Sequence, residues 1–170
     1  MVKKITQKRL ENITLYYLQR YESCSSKLRS MLKRRVLRAK MQLGEVPDEA
    51  NEWIENIIKR MQELGYIDDK RYAQNTFRRL QNAGKSTRFI AGKLKQSGIV
   101  AETIDELIEE QETTPDEMDL NAARRLVKKK KIGYLRPLNE QEAMRQKDLA
   151  VLGRAGFSFE IANQALKAED

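Results

Sequence analysis

The chain has 170 residues, of which 40% are hydrophobic and only 6% aromatic. Leu, Ile, Ala, Glu, Lys, Arg and Gln dominate, and because these residues favour helices, we expect an all-α protein. Lys and Arg number 33 against 25 Asp and Glu, a formal charge of +8 that favours polyanionic partners, although a charged surface that serves solubility explains it equally well.

The sequence contains no histidine and a single cysteine, Cys24. Most acid-base triads, imidazole metal sites and zinc cages are thereby excluded, and no glycine-rich phosphate loop is present. We therefore expect a protein that is not an enzyme and has no cofactor and no metal. Cys24 lies in a predicted turn at residues 22–26 and is expected to be a small buried or half-buried thiol. The chain lacks an apolar run of membrane-spanning length and an apolar signal core, so we expect it in the cytoplasm.

Apolar residues recur at three- and four-residue steps along residues 1–67 and predict three amphipathic helices. A long loop is predicted at residues 43–47, and Trp53 borders the third apolar stripe, where we expect it to pack. The stripes consist of Leu10, Ile13, Thr14, Tyr17, Leu18 and Tyr21, then Leu28, Met31, Leu32 and Val36, then Ile54, Ile57, Ile58, Met61 and Leu64.

Residues 77–94 align without a gap with residues 15–32, which indicates an internal duplication with a period near 60 residues. Asp68 and Asp69, then Ser86 and Thr87, are predicted to cap helix starts, and Gly65, Gly84 and Gly98 suit helix ends. The apolar stripes of this second copy are Tyr72, Ala73, Thr76, Phe77 and Leu80, then Phe89, Ile90 and Leu94, then Ile104, Leu107 and Ile108.

A third copy is indicated by residues 152–157, which match residues 94–99. Pro115 and Ser158 suit helix starts, Gly156 suits a helix end, and residues 132–138 are predicted to form a loop. The resulting fold has three tandem three-helix repeats, at residues 1–67, 68–113 and 114–170, which stack into an elongated, crescent-like solenoid. The apolar stripes of the third copy are Leu120, Ala123 and Val127, then Leu149, Leu152 and Ala155, then Phe159, Ala162, Ala165 and Leu166.

Charge is segregated along the repeats. Residues 1–40 hold 12 basic and 2 acidic side chains, and residues 68–100 hold 8 and 2, whereas residues 101–120 hold 9 acidic side chains and no basic one. The first two helices of a repeat are thus basic and the third acidic, which predicts a polarised surface. The alternative is an acidic third helix that merely neutralises the repeat before it.

Basic side chains at helical spacing are the candidate contact residues. A stripe at residues 71, 75, 78 and 82 is predicted to face solvent, and residues 124–131 hold six like charges in eight residues, which repel each other unless a counter-charge is near. An isolated Arg or Lys is more simply explained as a solvated side chain than as a binding residue. Lys33, Arg34, Arg35 and Arg38 form a weaker cluster than residues 124–131. The candidates are Arg71, Arg78, Arg79, Arg88, Lys95, Arg124, Arg125, Lys128, Lys129, Lys130 and Lys131.

Leu64-Gly65-Tyr66-Ile67-Asp68-Asp69-Lys70-Arg71-Tyr72-Ala73, followed by Arg78-Arg79, Gly84, Arg88, Ile90, Leu94 and Gly98-Ile99, resembles the signature of the RecX family. Residues 15–32 are similar to the opening helix pair of that family, and residues 156–161 to its C-terminal element. The resemblance therefore extends over nearly the whole chain.

The resemblance implies a regulator of the RecA recombinase in homologous recombination, DNA repair and the SOS response. Such a protein lodges in the helical groove of the RecA–DNA filament and modulates, usually inhibits, strand exchange, ATP hydrolysis and co-protease activity. It implies a monomer whose partners are RecA and single-stranded DNA, with double-stranded DNA as a further partner and no membrane. Two alternatives stay open: a basic protein that binds DNA directly and affects RecA only through shared DNA, and a scaffold for acidic proteins.

Overall fold

The computed structural model describes residues 4–167, and this range contains nine α-helices, one short 3₁₀ helix and no strand. The predicted all-α class is confirmed. The helices are α1 (Gln7–Leu18), α2 (Ser25–Leu43), α3 (Ala50–Glu63), α4 (Asp69–Asn82), α5 (Thr87–Gln96), α6 (Ala101–Glu109), α7 (Pro115–Lys130), α8 (Leu138–Ala155) and α9 (Phe159–Ala165), and the 3₁₀ helix is Gly133–Leu135.

Packing divides the chain into two compact units. The first unit comprises the residues up to Ala73 together with Ser97–Ile99, and the second comprises Gln74–Gln96 together with the residues from Val100 onward. The predicted repeat boundaries at residues 1–67, 68–113 and 114–170 rest on sequence repetition, which a grouping by packing does not test. They stay a prediction.

The core of the first unit is built by α1, α2 and α3, whose buried residues include Leu10, Leu28, Leu32, Ile54, Ile57, Ile58 and Met61. Trp53 packs against this core, as its position beside the third stripe predicts. Two stripe residues were predicted wrongly, because Tyr21 and Leu64 are exposed. Helix α1 ends at Leu18, before Tyr21 is reached, and Leu64 is the C-cap residue of α3.

The second unit buries small residues where α7, α8 and α9 meet, among them Ala122, Ala123, Ala155, Ala162 and Ala165, around Val127 and Leu152. The prediction was wrong for Phe159, whose side chain is 64% exposed. Phe157 fills the core in its place, because Ser158 caps α9 and starts the new helix with Phe159 on its outer side. The predicted loop at residues 132–138 contains the 3₁₀ helix.

In the first unit, a backbone N–H and a thiol at the start of α2 bond to distant parts of the chain. The Oδ1 atom of Asp69, on α4, accepts a hydrogen bond from the backbone N–H of Ser25 at 2.7 Å. The thiol of Cys24 donates to the carbonyl oxygen of Ser97 at 3.1 Å. Cys24 is fully buried, as predicted, and burial raises the pKa of its thiol.

The start of α5 in the second unit has the same construction. Asp119 Oδ1, on α7, accepts a hydrogen bond from the backbone N–H of Thr87 at 2.7 Å, and the N–H of Ser86 donates to the carbonyl oxygen of Ala155 at 3.1 Å. The gapless alignment of the first two copies pairs Cys24 with Ser86 and Ser25 with Thr87. The aligned residues Ser25 and Thr87 therefore each donate a backbone N–H to an aspartate carboxylate, which supports the duplication independently of the sequence match.

Glycines complete both arrangements. Gly98 and Gly156 follow the second helices of their copies and have φ of +81° and +101°, a left-handed conformation that favours glycine. A Cβ atom on Gly98 would overlap with the Ser26 side chain, and one on Gly156 would overlap with Ser86 Oγ and lie 2.8 Å from Phe89 Cβ. Each turn thus requires glycine for its conformation and for its close approach.

We expect Gly156→Ala to lower the free energy of unfolding by about 3 kcal/mol, because a left-handed alanine and an overpacked contact each cost more than about 1 kcal/mol. Gly65→Ala is the control for conformation alone, since Gly65 has φ of +72° but no atom within 4 Å of the added Cβ. Gly153→Ala is the control for the added methyl group, since Gly153 lies in α8 with open space beside it, and it should stabilise by about 0.5–1 kcal/mol. Urea denaturation of the three variants measures these changes, and equal losses at Gly156 and Gly65 would contradict the close-approach explanation.

Candidate interaction surface

Helix α4 carries three of the candidate cations. Arg71, Arg78 and Arg79 are exposed, and so are residues 75 and 82, so the stripe at 71, 75, 78 and 82 faces solvent as its spacing predicts. The guanidinium of Arg71 donates to the carbonyl oxygen of Gly65 at 3.1 Å, and its backbone N–H donates to Asp68 Oδ1 at 2.9 Å. Arg71 therefore also holds the turn between α3 and α4, within the first unit.

Arg78 borders a shallow groove of about 290 Å³ in the second unit, between α4 and the end of α6. Glu110, Gln111, Phe77 and Leu107 also line this groove. An acidic side chain therefore shares this surface with the cation, which weakens the positive potential there.

Helix α5 places Arg88 in its first turn and Lys95 in its last, both exposed. Seven residues along a helix separate them by about 10 Å. Arg88 Nη2 lies 3.4 Å from the carbonyl oxygen of Gly156. Burial raises the pKa of the Asp119 carboxyl, and the nearby charge of Arg88 offsets a small part of that rise. Arg88 therefore interacts with groups of its own protein at the start of α5, whereas Lys95 extends from the other end of the helix.

The C-terminal half of α7 carries the most concentrated set of candidates. Arg125 and the lysines at 128–131 are exposed, while Arg124 is half-buried and Leu126 and Val127 turn inward to the core. Lysines in the last turn of a helix interact favourably with its dipole, which offsets part of their mutual repulsion. We call these five exposed cations, Arg125, Lys128, Lys129, Lys130 and Lys131, the α7 cluster.

A buried ion pair fixes the chain at the end of the α7 cluster. Lys131 caps α7 with a φ of +52°, and two residues later the N–H of Gly133 donates to Asp148 Oδ2 at 2.9 Å. Arg136 binds both oxygens of Asp148, with Nε and Nη2 each 2.8 Å from a carboxylate oxygen. The Asp148 side chain is 1% exposed, and its bonds with Arg136 lower the pKa of its carboxyl.

Sequence reasoning missed Asp148 and Arg136, although a signal was present. Asp148 stands four residues before Leu152 and seven before Ala155, on the apolar stripe of α8. A carboxylate on a buried stripe requires a partner, because burying an unpaired charge is costly. The position of Asp148 therefore indicated an ion pair, but the sequence did not show which cation forms it.

Helix α2 carries a dense and unbalanced positive charge. Its 19 residues include seven basic side chains and no acidic one. Arg29 is paired with Glu55 at 2.8 Å, and the cations at positions 33, 34, 35, 38 and 40 are exposed.

Among residues 4–167, no three His, Cys, Asp or Glu side chains are grouped so that they could hold a metal ion, and no helix is both long and apolar enough to cross a membrane.

A family model described as RecX, second three-helix domain, matches residues 68–108. The chain is 37% identical to a regulatory protein RecX of Myxococcus xanthus over 96% of its own length and 87% of the relative. It is 30% identical to the regulatory protein RecX of Agrobacterium fabrum, over 91% of the chain and 80% of that relative. The chain belongs to the RecX family.

Solved structures of similar proteins agree with the fold. A crystal structure of a regulatory protein RecX has a TM-score of 0.61 at 24% identity and covers 94% of this chain and 70% of its own. RecX from Lactobacillus salivarius has a TM-score of 0.59 at 20% identity and covers 94% of both chains. At these identities the likeness concerns the fold. The curated RecX relatives are named as regulatory proteins, so the family has a regulatory role.

We expect Asp148→Asn to lower the free energy of unfolding of this RecX-family protein by about 2–3 kcal/mol, because it leaves the Arg136 charge unpaired next to a buried amide. Glu55→Gln is the control, since it removes an ion pair whose side chains are 36% and 50% exposed. Such a pair contributes less than about 1 kcal/mol. Urea denaturation at neutral pH measures both, and equal losses would contradict the special role of Asp148.

The effect of Asp148→Asn should depend on pH in a defined direction. Because the folded pKa of Asp148 is lowered, its contribution to stability is present above the ordinary value of 3.8 and is lost as the pH falls through the lowered pKa. The difference between wild type and variant is therefore full at neutral pH and shrinks below about pH 4. Repeating the denaturation across this range tests the sign, and a difference that grows on acidification would contradict it.

Proposed function

We propose that this protein regulates the RecA recombinase, mainly as an inhibitor, by binding as a monomer in the groove of the RecA–DNA filament in the cytoplasm. Membership of the RecX family supports the regulatory role, and the resemblance of the signature at residues 64–99 supports RecA as the target. The observation that carries the proposal is the α7 cluster, five exposed cations at the end of a helix whose following turn is fixed by Asp148.

A RecA–DNA filament is a long polyanion, so a cationic surface is attracted to it before any specific contact forms. In the proposed complex, Arg71, Arg78, Arg79, Arg88 and Lys95 contact RecA or DNA together with residues 124–131. A protein that bridges neighbouring RecA protomers disfavours the motions that accompany ATP turnover. It thereby limits filament growth, strand exchange and co-protease activity.

The second candidate function is direct DNA binding, with effects on RecA only through shared DNA. The α7 cluster also favours this candidate, because Arg125, Lys128 and Lys129 stand at helical spacing on one side of α7 and can meet successive phosphates. The two functions differ in their salt dependence and in whether contact with RecA persists without DNA.

We expect the full chain to inhibit the ATPase of RecA on single-stranded DNA at well below one molecule per RecA protomer, because one bridging molecule affects several protomers. The measurement is the rate of ATP hydrolysis by preformed filaments as the chain is titrated in. An unchanged rate at equimolar amounts would overturn the regulatory proposal.

We expect the double variant Lys128→Glu, Lys129→Glu to weaken filament binding by at least about tenfold, because each reversal replaces a phosphate contact by repulsion. The control is Lys59→Glu, Lys147→Glu, which makes the same change in net charge at exposed positions outside the cluster. If the α7 cluster binds single-stranded DNA, the negative slope of log affinity against log salt becomes less steep by about 1.4 in the Lys128→Glu, Lys129→Glu variant, since each phosphate contact contributes about 0.7. Equal losses of filament binding in both variants would show that the α7 cluster contributes only through the net charge of the protein.

A further inference from the structure

An apolar groove with cations along its α2 edge lies beside the second half of α2, in the first unit. The groove has a volume of about 360 Å³ and is lined by Lys33, Arg34, Val36, Leu37, Lys40, Val46 and Asn51. Four of these, at positions 33, 36, 37 and 40, are spaced by three and four residues and therefore share one side of α2. Val46 and Asn51, from the loop after α2 and the start of α3, form the other wall.

The apolar part of this groove is open to solvent. Leu37 is 57% exposed, and Met41, one turn further along α2, is 80% exposed. Large apolar side chains that stay this exposed at the edge of a concave surface are typical of a binding site. None of the described residues that line the groove is acidic, and the carboxylate of Glu45 lines the neighbouring groove instead. The rim formed by Lys33, Arg34 and Lys40 is therefore cationic.

Apolar lining with a cationic rim is complementary to a peptide segment that carries both acidic and apolar side chains. An anionic membrane fits less well, because apolar residues that insert into lipid protrude, whereas Val36 and Val46 line a concave surface. A nucleic acid strand also fits less well, because the lining offers no aromatic side chain for base stacking. The acidic helix α6 of a second copy fits less well, since Ile104 and Leu107 are buried in its own unit and Ile108 is half-buried.

We infer that the α2 groove docks an acidic, amphipathic peptide segment of a protein partner. On the proposed function, on which this step rests, that segment belongs to RecA. Leu37 and Val36 contact its apolar side chain, and Lys33, Arg34 and Lys40 pair with its carboxylates. The protein then has two cationic surfaces with different targets: the α2 groove contacts protein, and the α7 cluster contacts phosphates.

The test measures the affinity of the full chain for immobilised RecA in the absence of DNA, and for a single-stranded oligonucleotide in parallel. Two groove variants are Leu37→Asp and Lys40→Glu. Their matched controls are Leu138→Asp, at a leucine that is 87% exposed on α8, and Arg38→Glu, at an exposed arginine that does not line the groove. Circular dichroism melts check that all four variants fold like the wild type.

We expect both groove variants to lose at least about tenfold in affinity for RecA, while both controls stay within about twofold and oligonucleotide binding is unchanged. The inference is overturned if the groove variants bind RecA like wild type, if Arg38→Glu loses as much as Lys40→Glu, or if oligonucleotide binding falls instead of RecA binding. It is also overturned if Leu37→Asp abolishes binding to phosphatidylglycerol vesicles and leaves RecA binding intact.

The failure of this inference differs from the failure of the proposed function. Wild type that inhibits the RecA ATPase, with groove variants that inhibit equally well, overturns the groove and leaves the regulatory role intact. Wild type that neither binds RecA nor changes its ATPase overturns both.

Discussion

The hydrogen bond between a helix start and a carboxylate from a distant helix is the interaction on which the packing within each unit depends. The first N–H groups of any helix have no partner within that helix and require acceptors from elsewhere. At Ser25 the acceptor is Asp69, and at Thr87 it is Asp119, each at 2.7 Å. Because the donor and acceptor are 44 and 32 residues apart, the same bond that caps a helix also fixes the position of the helix that supplies the acid.

Buried carboxylates in this protein have opposite pKa shifts for a physical reason. Burial raises the pKa of Asp119, because its bonds with Thr87 only partly replace the lost water. Asp148 is less exposed still, but the full positive charge of Arg136 outweighs burial and lowers the pKa of its carboxyl. The stability contributed through Asp119 is therefore greatest below its ordinary pKa and declines as the pH rises through the raised value, whereas that of Asp148 is lost on acidification. A charged partner makes Asp148 the firmer attachment at neutral pH.

The sequence predicted the helical class, the buried apolar stripes and the glycine turns, because these depend on local periodicity and on φ values that only glycine adopts readily. It failed at the ends of helices. Tyr21 and Phe159 follow the helical period but lie where α1 has already ended and where α9 has just begun, so the period alone placed them in the core. The stripe at residues 71, 75, 78 and 82 was predicted to face solvent, and it does, whereas among the candidate cations Arg124 is half-buried. Their functional role was not tested by the fold, since exposure is common to every solvated lysine.

The long-range pairs were beyond sequence reasoning for a different reason. Asp148 could be recognised as a buried charge, yet Arg136, Arg145 and Arg154 are all near it in the sequence, and the structure shows that Arg136, next to the turn at Gly133, is its partner. The α2 groove depends in the same way on a wall supplied by Val46, a residue that periodicity assigns to a loop. Apolar stripes predict what a helix buries, but a groove forms from what two segments leave uncovered.

The two cationic surfaces therefore differ in a way that net charge does not reveal. In the α7 cluster, the apolar residues of the same turns, Leu126 and Val127, are used by the core, and only charge remains outside. In the α2 groove, Leu37 stays exposed between cations, so contact there removes apolar surface from water as well as pairing charges. Binding by charge alone is screened by salt and does not distinguish one polyanion from another. Binding that adds an apolar contact within a charged rim is less sensitive to salt and depends on the shape of the partner. On the proposed function, a filament made of protein and DNA presents both kinds of target, and the two surfaces together would distinguish it from DNA alone.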